Sequence, residues 1–344
     1  MELNIAADGL TELYDGGIDS VVDIVFVHGL RGNPRTTWEA VYKEDDEEFK
    51  VYWPAELLPK TIKESRIFSF GYLTEFATFY PILPEPVSHT KIDHHSTSLI
   101  LKLGNYRRVS KTSNRPIIFV AHSLGGLVVA NALAGKYETD AQGKGVVDHT
   151  YGALFLGTPF KGSAKAPWAT MARQVFAWMG GDTNDQTIND LDKRSKKLQS
   201  ISVDFHMLLQ SRLASKELKP IQIACFFEEI ATIKKKKNVG LIVTADSATL
   251  VGYPQIGINA NHTAMCRYVS ADTTAYQLVT GKIKEMIDNF SKSTDEVMKN
   301  GTTVANVTMG NNNLNLGGYL TGVIMGTTEN AVNLNLNNNV RIIS

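Results

Sequence analysis

A serine hydroxyl is a poor nucleophile at neutral pH. It needs a base within hydrogen-bond reach, and a carboxylate to orient that base. The chain of 344 residues carries a serine in the setting such chemistry requires. Ser123 lies in Ala121-His122-Ser123-Leu124-Gly125-Gly126, after an apolar run and ahead of Leu127-Val128-Val129. A strand that turns sharply into a helix holds such a serine at a strained apex, where small residues must flank it two positions away. Gly125 meets that need, and Ala121 stands where Gly is usual, adding one methyl.

The base and acid of such a site follow the nucleophile in the order serine, acid, histidine. Of the eight histidines, His28, His89, His94, His95 and His122 precede Ser123, and His149 and His206 lie before or within a long central stretch. His262, in Asn259-Ala260-Asn261-His262-Thr263-Ala264-Met265, is the expected base. The acid is expected at Glu228 or Glu229, after the run Ile221 to Phe227, or at Asp246. Adjacent residues diverge in direction, so only one of Glu228 and Glu229 can face His262. Two backbone N–H groups must hold the oxyanion. Leu124 follows the nucleophile, and Leu30 lies in His28-Gly29-Leu30-Arg31-Gly32, where Gly29 permits a tight turn. His28 is read as a packing residue. Asp93-His94-His95 lacks matching ligands elsewhere, so no metal is expected, and no cofactor either.

The elements that must position these residues read as alternating strands and helices. Apolar runs at 21–27, 66–70, 116–121, 151–156, 221–227 and 240–244 are β-branched or aromatic-rich and bounded by turn residues. Their near-continuous apolarity suits strands buried on both faces of a parallel sheet. Helical pattern fills 92–108, 124–137 and 273–290. The alternation predicts an α/β fold. The stretch 160–215 is longer than one crossover needs and reads as a helical insertion, either core-packing or covering the substrate.

Lys plus Arg and Asp plus Glu both number 35, so no basic excess favours nucleic acid. Two cysteines, Cys225 and Cys266, cannot make a disulfide framework, and free thiols in a reducing compartment are expected. The sequence shows no signal-peptide pattern and no run of about 20 apolar residues, so a cytoplasmic protein is expected, at most peripheral at membranes. Lys234-Lys235-Lys236-Lys237 reads as a solvated loop, with anionic lipid headgroups as the alternative partner. Glu44-Asp45-Asp46-Glu47-Glu48 reads as a solvated acidic loop.

Several motifs together resemble one α/β-hydrolase group. They are Val25 to Pro34, Trp38, Arg66 to Tyr72, Ala121 to Gly126 and Phe155 to Ser163, followed by Phe226-Phe227-Glu228, Asp246-Ser247-Ala248 and Asn261 to Cys266. The group holds the GPI-inositol-deacylase-like and serine-active-site lipase-like proteins, and the resemblance covers about residues 20–290. It implies a serine esterase or lipase acting on carboxylic, chiefly lipid acyl, esters. It also favours Glu228 as the acid, because the group's acid directly follows an aromatic. Fungal members of SesB type accompany NOD-like receptors and carry a short prion-forming segment, which implies such a receptor, or the chain itself, as a partner of the tail. The expected domains are a hydrolase domain at 1–295, with the insertion at 160–215, and a linker and Asn-rich tail at 296–344.

The tail has physics of its own. Residues 301–344 contain 11 Asn and two charges, Glu329 and Arg341. Asn-Asn-Asn-Leu-Asn-Leu at 311–316 and Asn-Leu-Asn-Leu-Asn-Asn-Asn at 333–339 are similar blocks. Stacked in register, such segments form Asn ladders and dry Leu or Val interfaces. The rival to the enzyme reading is therefore an interaction protein, with a dormant hydrolase domain carried by a self-assembling tail. The isolated 301–344 peptide is expected to form thioflavin-positive fibrils with a cross-β repeat. A peptide that stays monomeric at high concentration would count against tail assembly.

Overall fold

The computed structural model describes residues 3–29, 32–72, 91–160, 185–234 and 237–301. The chain divides into two compact units, Met1–Met286 and Ile287–Ser344. The first holds a seven-stranded sheet built from β1 (Gly9–Asp15), β2 (Val22–Val27), β5 (Ser65–Gly71), β6 (Ile117–His122), β7 (Thr150–Leu156), β8 (Gln222–Glu228) and β11 (Gln255–Ile258). The strand order is β1-β5-β2-β6-β7-β8-β11. All neighbours run parallel except the edge strand β1, which pairs antiparallel with β5. This is the α/β-hydrolase fold.

Every residue of β2, β5, β6 and β7 is buried. That is why their sequences read as unbroken apolar runs: both faces of the sheet are covered. The pleat sends alternate residues to opposite faces. Val25, Val27, Phe68, Phe70 and Phe119 join the core formed with helices Lys91–Val109, Gly125–Leu133 and Asp185–Ala214. Phe26 turns the other way, edge-on to Trp38 and Trp53 at 5.1 and 5.0 Å, and Trp53 in turn packs on Tyr268 and Tyr276. In helix Asp185–Ala214, Ile201, Phe205 and Leu209 are buried core residues, with Phe205 against Phe155 and Phe160. The second half of the stretch 160–215 is thus a crossover helix between β7 and β8, and residues 161–184 lie outside the described residues.

The chain moves from β2 to β5 on one side, then crosses back to β6 on the other. The crevice at the C-terminal ends of β2 and β6 is therefore the topological switch point, where open α/β sheets bind their ligands. Both Gly29 and Ser123 emerge there.

Two sequence expectations need correction. The run 240–244 is not a sheet strand. Gly240 ends β10 (Lys237–Gly240), which pairs only with β9 (Thr232–Lys234) in a separate hairpin, while Ile242 and Val243 are buried in a loop. The last strand is β11, whose Gln-Ile-Gly-Ile is short and weakly apolar and so carries little strand signal. An apolar run reports burial, and burial in a loop satisfies it equally. Likewise the acidic run is not a loop but a hairpin of β3 (Glu39–Glu44) and β4 (Glu47–Tyr52), turned at Asp45 and Asp46 with φ of 49° and 64°. A two-residue turn with both φ values positive matches strand twist, and Asp tolerates it. Residues 235–236 and the tail from 302 onward lie outside the described residues. Among the described residues, no helix is long and apolar enough to cross a membrane.

The N-terminal end of the sheet is tied by one carboxylate. Asp23 on β2 is fully buried. Arg66 of β5 reaches it with two nitrogens, each at 3.0 Å. Arg107 from helix Lys91–Val109 and Arg115 ahead of β6 complete the cluster. Arg66 and Arg107 also donate to Thr112 and to the Ser113 carbonyl, so the guanidinium groups stay satisfied. Removing one member of a buried ion pair strands its partners. Asp23→Asn is therefore expected to lower stability by about 3–5 kcal/mol, read as a drop in the urea midpoint. An unchanged midpoint would show the cluster to be dispensable.

Candidate active site

At the end of β6 the chain places Ser123 at φ 53°, a left-handed conformation that non-glycine residues seldom adopt. The Ser123 N–H donates to the Leu156 carbonyl at 2.8 Å, and its own carbonyl accepts from Gly126 N–H at 3.1 Å. These bonds hold the turn between β6 and helix Gly125–Leu133. The turn is packed so closely that side chains are excluded around it. A Cβ on Gly29 would lie 2.8 Å from the Ser123 Cβ. One on Gly125 would strike the His28 carbonyl, and one on Gly126 the Thr158 side chain. Leu124 stands at the N-cap of the helix, where the helix dipole favours negative charge.

His262 and Glu228 complete the line. His262 Nε2 stands 3.1 Å from Ser123 Oγ. His262 Nδ1 stands 3.1 Å from Glu228 Oε2, an ion-pair distance with the N–H direction off the ideal hydrogen-bond line. Both side chains are fully buried. Glu228 ends β8, and its other oxygen accepts the Val243 N–H at 2.8 Å. The apolar loop at 240–244 therefore fixes the carboxylate. Glu229 and Asp246 are both exposed. Glu229 lies over Gly257 instead, and a Cβ there would clash with it. Of the three acids weighed from sequence, only Glu228 meets His262. Leu30 lies outside the described residues.

The loop bearing His262 is fastened on several sides. It follows β11 directly, and His262 stands four residues after that strand ends at Ile258. Asn261 Oδ1 accepts the N–H groups of Thr263 and Ala264 at 3.1 and 3.0 Å. The Cys266 carbonyl accepts Trp53 Nε1–H at 2.9 Å, and the Cys266 thiol donates to the Thr37 carbonyl at 3.2 Å. Arg267 donates to the Thr36 carbonyl at 2.7 Å. Gly157, at φ 59°, lets β7 pass beneath: a Cβ there would lie 2.9 Å from His262 Cε1. The segment at 36–37 and the histidine loop are thus bonded to each other. The distant anchors, Trp53 and the Thr36 and Thr37 carbonyls, were not singled out in the sequence, since they lie more than 200 positions away without local pattern.

Two further histidines are buried here. His28 stacks on Tyr72 at 4.5 Å, accepts the Tyr72 N–H at Nε2 and so donates from Nδ1 to the Gly29 carbonyl. Burial lowers its pKa to about 4, outweighing the Gly29 hydrogen bond. His122, also buried, is lowered well below the usual histidine value by burial first and the neighbouring His262 second. Both thiols are buried, and burial pushes Cys225 and Cys266 up to about 12. Asp93 is taken up by Asn131 and Lys197. Among the described residues, no group of three His, Cys, Asp or Glu could hold a metal ion.

No family model matches the chain. It is similar to human Protein SERAC1, 26% identical over 274 residues, covering 77% of this chain and 39% of that protein. Zebrafish Protein SERAC1 is 25% identical over 264 residues, covering 74% and 37%. The chain therefore spans under half the length of these curated relatives. Among solved structures it is similar to the Bacillus licheniformis lipase BlEst2, with a TM-score of 0.40, 18% identity and coverage of 71% and 86%. An esterase from the fungus Rhizomucor miehei gives a TM-score of 0.42, 12% identity and coverage of 80% and 78%.

The buried neutral histidines make stability depend on pH. The unfolded chain holds His28 near its ordinary value of about 6.5, whereas the folded chain releases that proton down to about 4. The unfolded state binds more protons in that window. The contribution is full above the unfolded value and lost as pH falls toward the folded one, on the order of 3 kcal/mol for His28. Urea midpoints should fall between pH 7.5 and pH 4.5, and the fall should shrink in His28→Gln. An equal fall in that variant would mean other groups govern the acid limb.

Proposed function

We propose that the chain is a serine hydrolase of carboxylic esters, with Ser123 as nucleophile, His262 as base and Glu228 as the acid that orients it. The observation that carries this reading is the buried line of Ser123 Oγ, His262 and Glu228, each step 3.1 Å long, beside a helix N-terminus. As His262 Nε2 takes the hydroxyl proton, Ser123 Oγ bonds to the acyl carbon. The negative charge moves to the carbonyl oxygen, where Leu124 N–H and Leu30 N–H are proposed to hold it. One such donor is worth about 2.7–4 kcal/mol in the transition state. Glu228 stabilises the imidazolium formed at this step. The alcohol leaves with the proton from His262. Water, deprotonated by the same nitrogen, then attacks the acyl-serine and releases the acid.

Lipid acyl esters are the proposed substrates, on the motif resemblance and the apolar residues of the central stretch. The tail's low charge and repeated Asn-Leu blocks support a further part of the reading. A SesB-like effector would be clustered through that tail by a receptor or by its own copies, in the cytoplasm and against a membrane surface. The dormant-scaffold reading remains its rival, and one experiment separates them.

Wild-type protein is expected to react with a fluorophosphonate probe, and Ser123→Ala and His262→Ala to lose that reaction. Ser123→Ala should also lower kcat on a simple ester by about 10^4–10^6. A folded wild type that never labels, with or without preformed tail fibrils, would favour the dormant scaffold.

A further inference from the structure

We propose that His122 is a positioning residue that sets the base against the nucleophile, a role that rests on the Ser123–His262–Glu228 reading. His122 is the last residue of β6 and the neighbour of Ser123. Its Nε2 lies 2.9 Å from the backbone carbonyl of His262, the residue whose own Nε2 meets Ser123 Oγ at 3.1 Å. A carbonyl oxygen can only accept, so His122 Nε2 must carry the proton and Nδ1 must be bare.

The two imidazoles lie 4.9 Å apart and 44° from parallel, and Trp38 packs edge-on to His122 at 6.3 Å. Gly29 closes the far side: a Cβ there would lie 3.5 Å from His122 Nδ1 and 3.0 Å from the His122 carbonyl. The ring is thus held between the oxyanion turn and the histidine loop. Burial first, then the charges of His262, Arg267 and His28, oppose a second proton and outweigh the hydrogen bond to the His262 carbonyl. The ring remains a neutral, single-tautomer donor.

The consequence is a closed loop of constraints. The covalent chain fixes His122 next to Ser123, and one hydrogen bond then fixes the backbone of His262. The Ser–His distance is set from the rigid end of β6 rather than through a long surface loop. Trp53 and Arg267 hold that loop at residues 266 and 267 and Asn261 holds residues 263 and 264, while His122 bonds to the carbonyl of residue 262 itself.

His122→Phe keeps a flat ring and removes the donor. His122→Gln restores an N–H donor of similar reach. The measurements are the fluorophosphonate labelling rate, and kcat and KM on a p-nitrophenyl ester, for wild type and both variants. A misplacement near 1 Å costs about 10^2 in rate. The expected result is a fall of roughly 10–100-fold in labelling and kcat for the Phe variant, with KM within about twofold. The Gln variant should recover most of the loss. Equal labelling of wild type and Phe variant, a Phe variant altered in KM alone, or a Gln variant as slow as a folded Phe variant would overturn the role.

Should the Phe variant fail to fold, the nitrogen NMR signature of His122 in the wild type decides. A protonated Nε2 with bare Nδ1 from pH 5 to pH 8 supports the role, and any other protonation state overturns it. A wild type that never labels removes the triad and this role together. A wild type that labels beside an equally reactive Phe variant removes this role alone.

Discussion

The backbone of Ser123 is held in a conformation that its side chain disfavours, and the surroundings of the site are arranged to keep it there. A non-glycine residue at φ 53° is stable only if neighbouring structure over-determines it. Here β6 enters the turn, a helix leaves it, and the Leu156 carbonyl holds its N–H. The tight approach of β2 then requires glycine at 29 and 125, and the approach of Thr158 requires it at 126. Strain at one residue is thus paired with missing side chains at its neighbours. The result is a buried Ser123 whose Oγ meets His262 at the switch point of the strand order.

His262 depends on a different kind of support. His262 lies on a loop, where positions are ordinarily loose. In this molecule the loop is bonded to β6 through His122, to the aromatic layer through Trp53, and to residues 36 and 37 through Cys266 and Arg267. Glu228 is positioned in the same manner by Val243 N–H, from a loop that is apolar because it is buried. Polar groups so deep in the fold must be bonded to something, since an unmet hydrogen bond there costs about 1–3 kcal/mol. The same bonds that satisfy them give the site its geometry.

The sheet's two ends divide the labour. The N-terminal end is closed by Asp23 and its three arginines, a cluster that joins β2, β5, the helix Lys91–Val109 and the lead into β6. The C-terminal end carries the turns, the glycines and the buried histidines. The apolar strands between them transmit the register, because close-packed interiors deform little.

Much of this was legible in the residues themselves. Five buried strands, the elbow and the choice of His262 as the histidine beside Ser123 follow from local pattern: apolar runs, glycine spacing and chain order. The choice among Glu228, Glu229 and Asp246 does not, because it depends on which carboxylate the end of β8 aims across the site. Nor does β11, whose four residues are weakly apolar, or the hairpin at Asp45-Asp46, where charge hid the strands beside the turn. The run at 240–244 misled because apolarity marks burial and not strand. His122 stood in plain view within the elbow motif, yet its bond to the residue 140 positions later has no sequence period. Local chemistry was written in the chain. The pairing of distant groups was decided only by tertiary packing, since contacts between remote residues are set by where the whole sheet brings them.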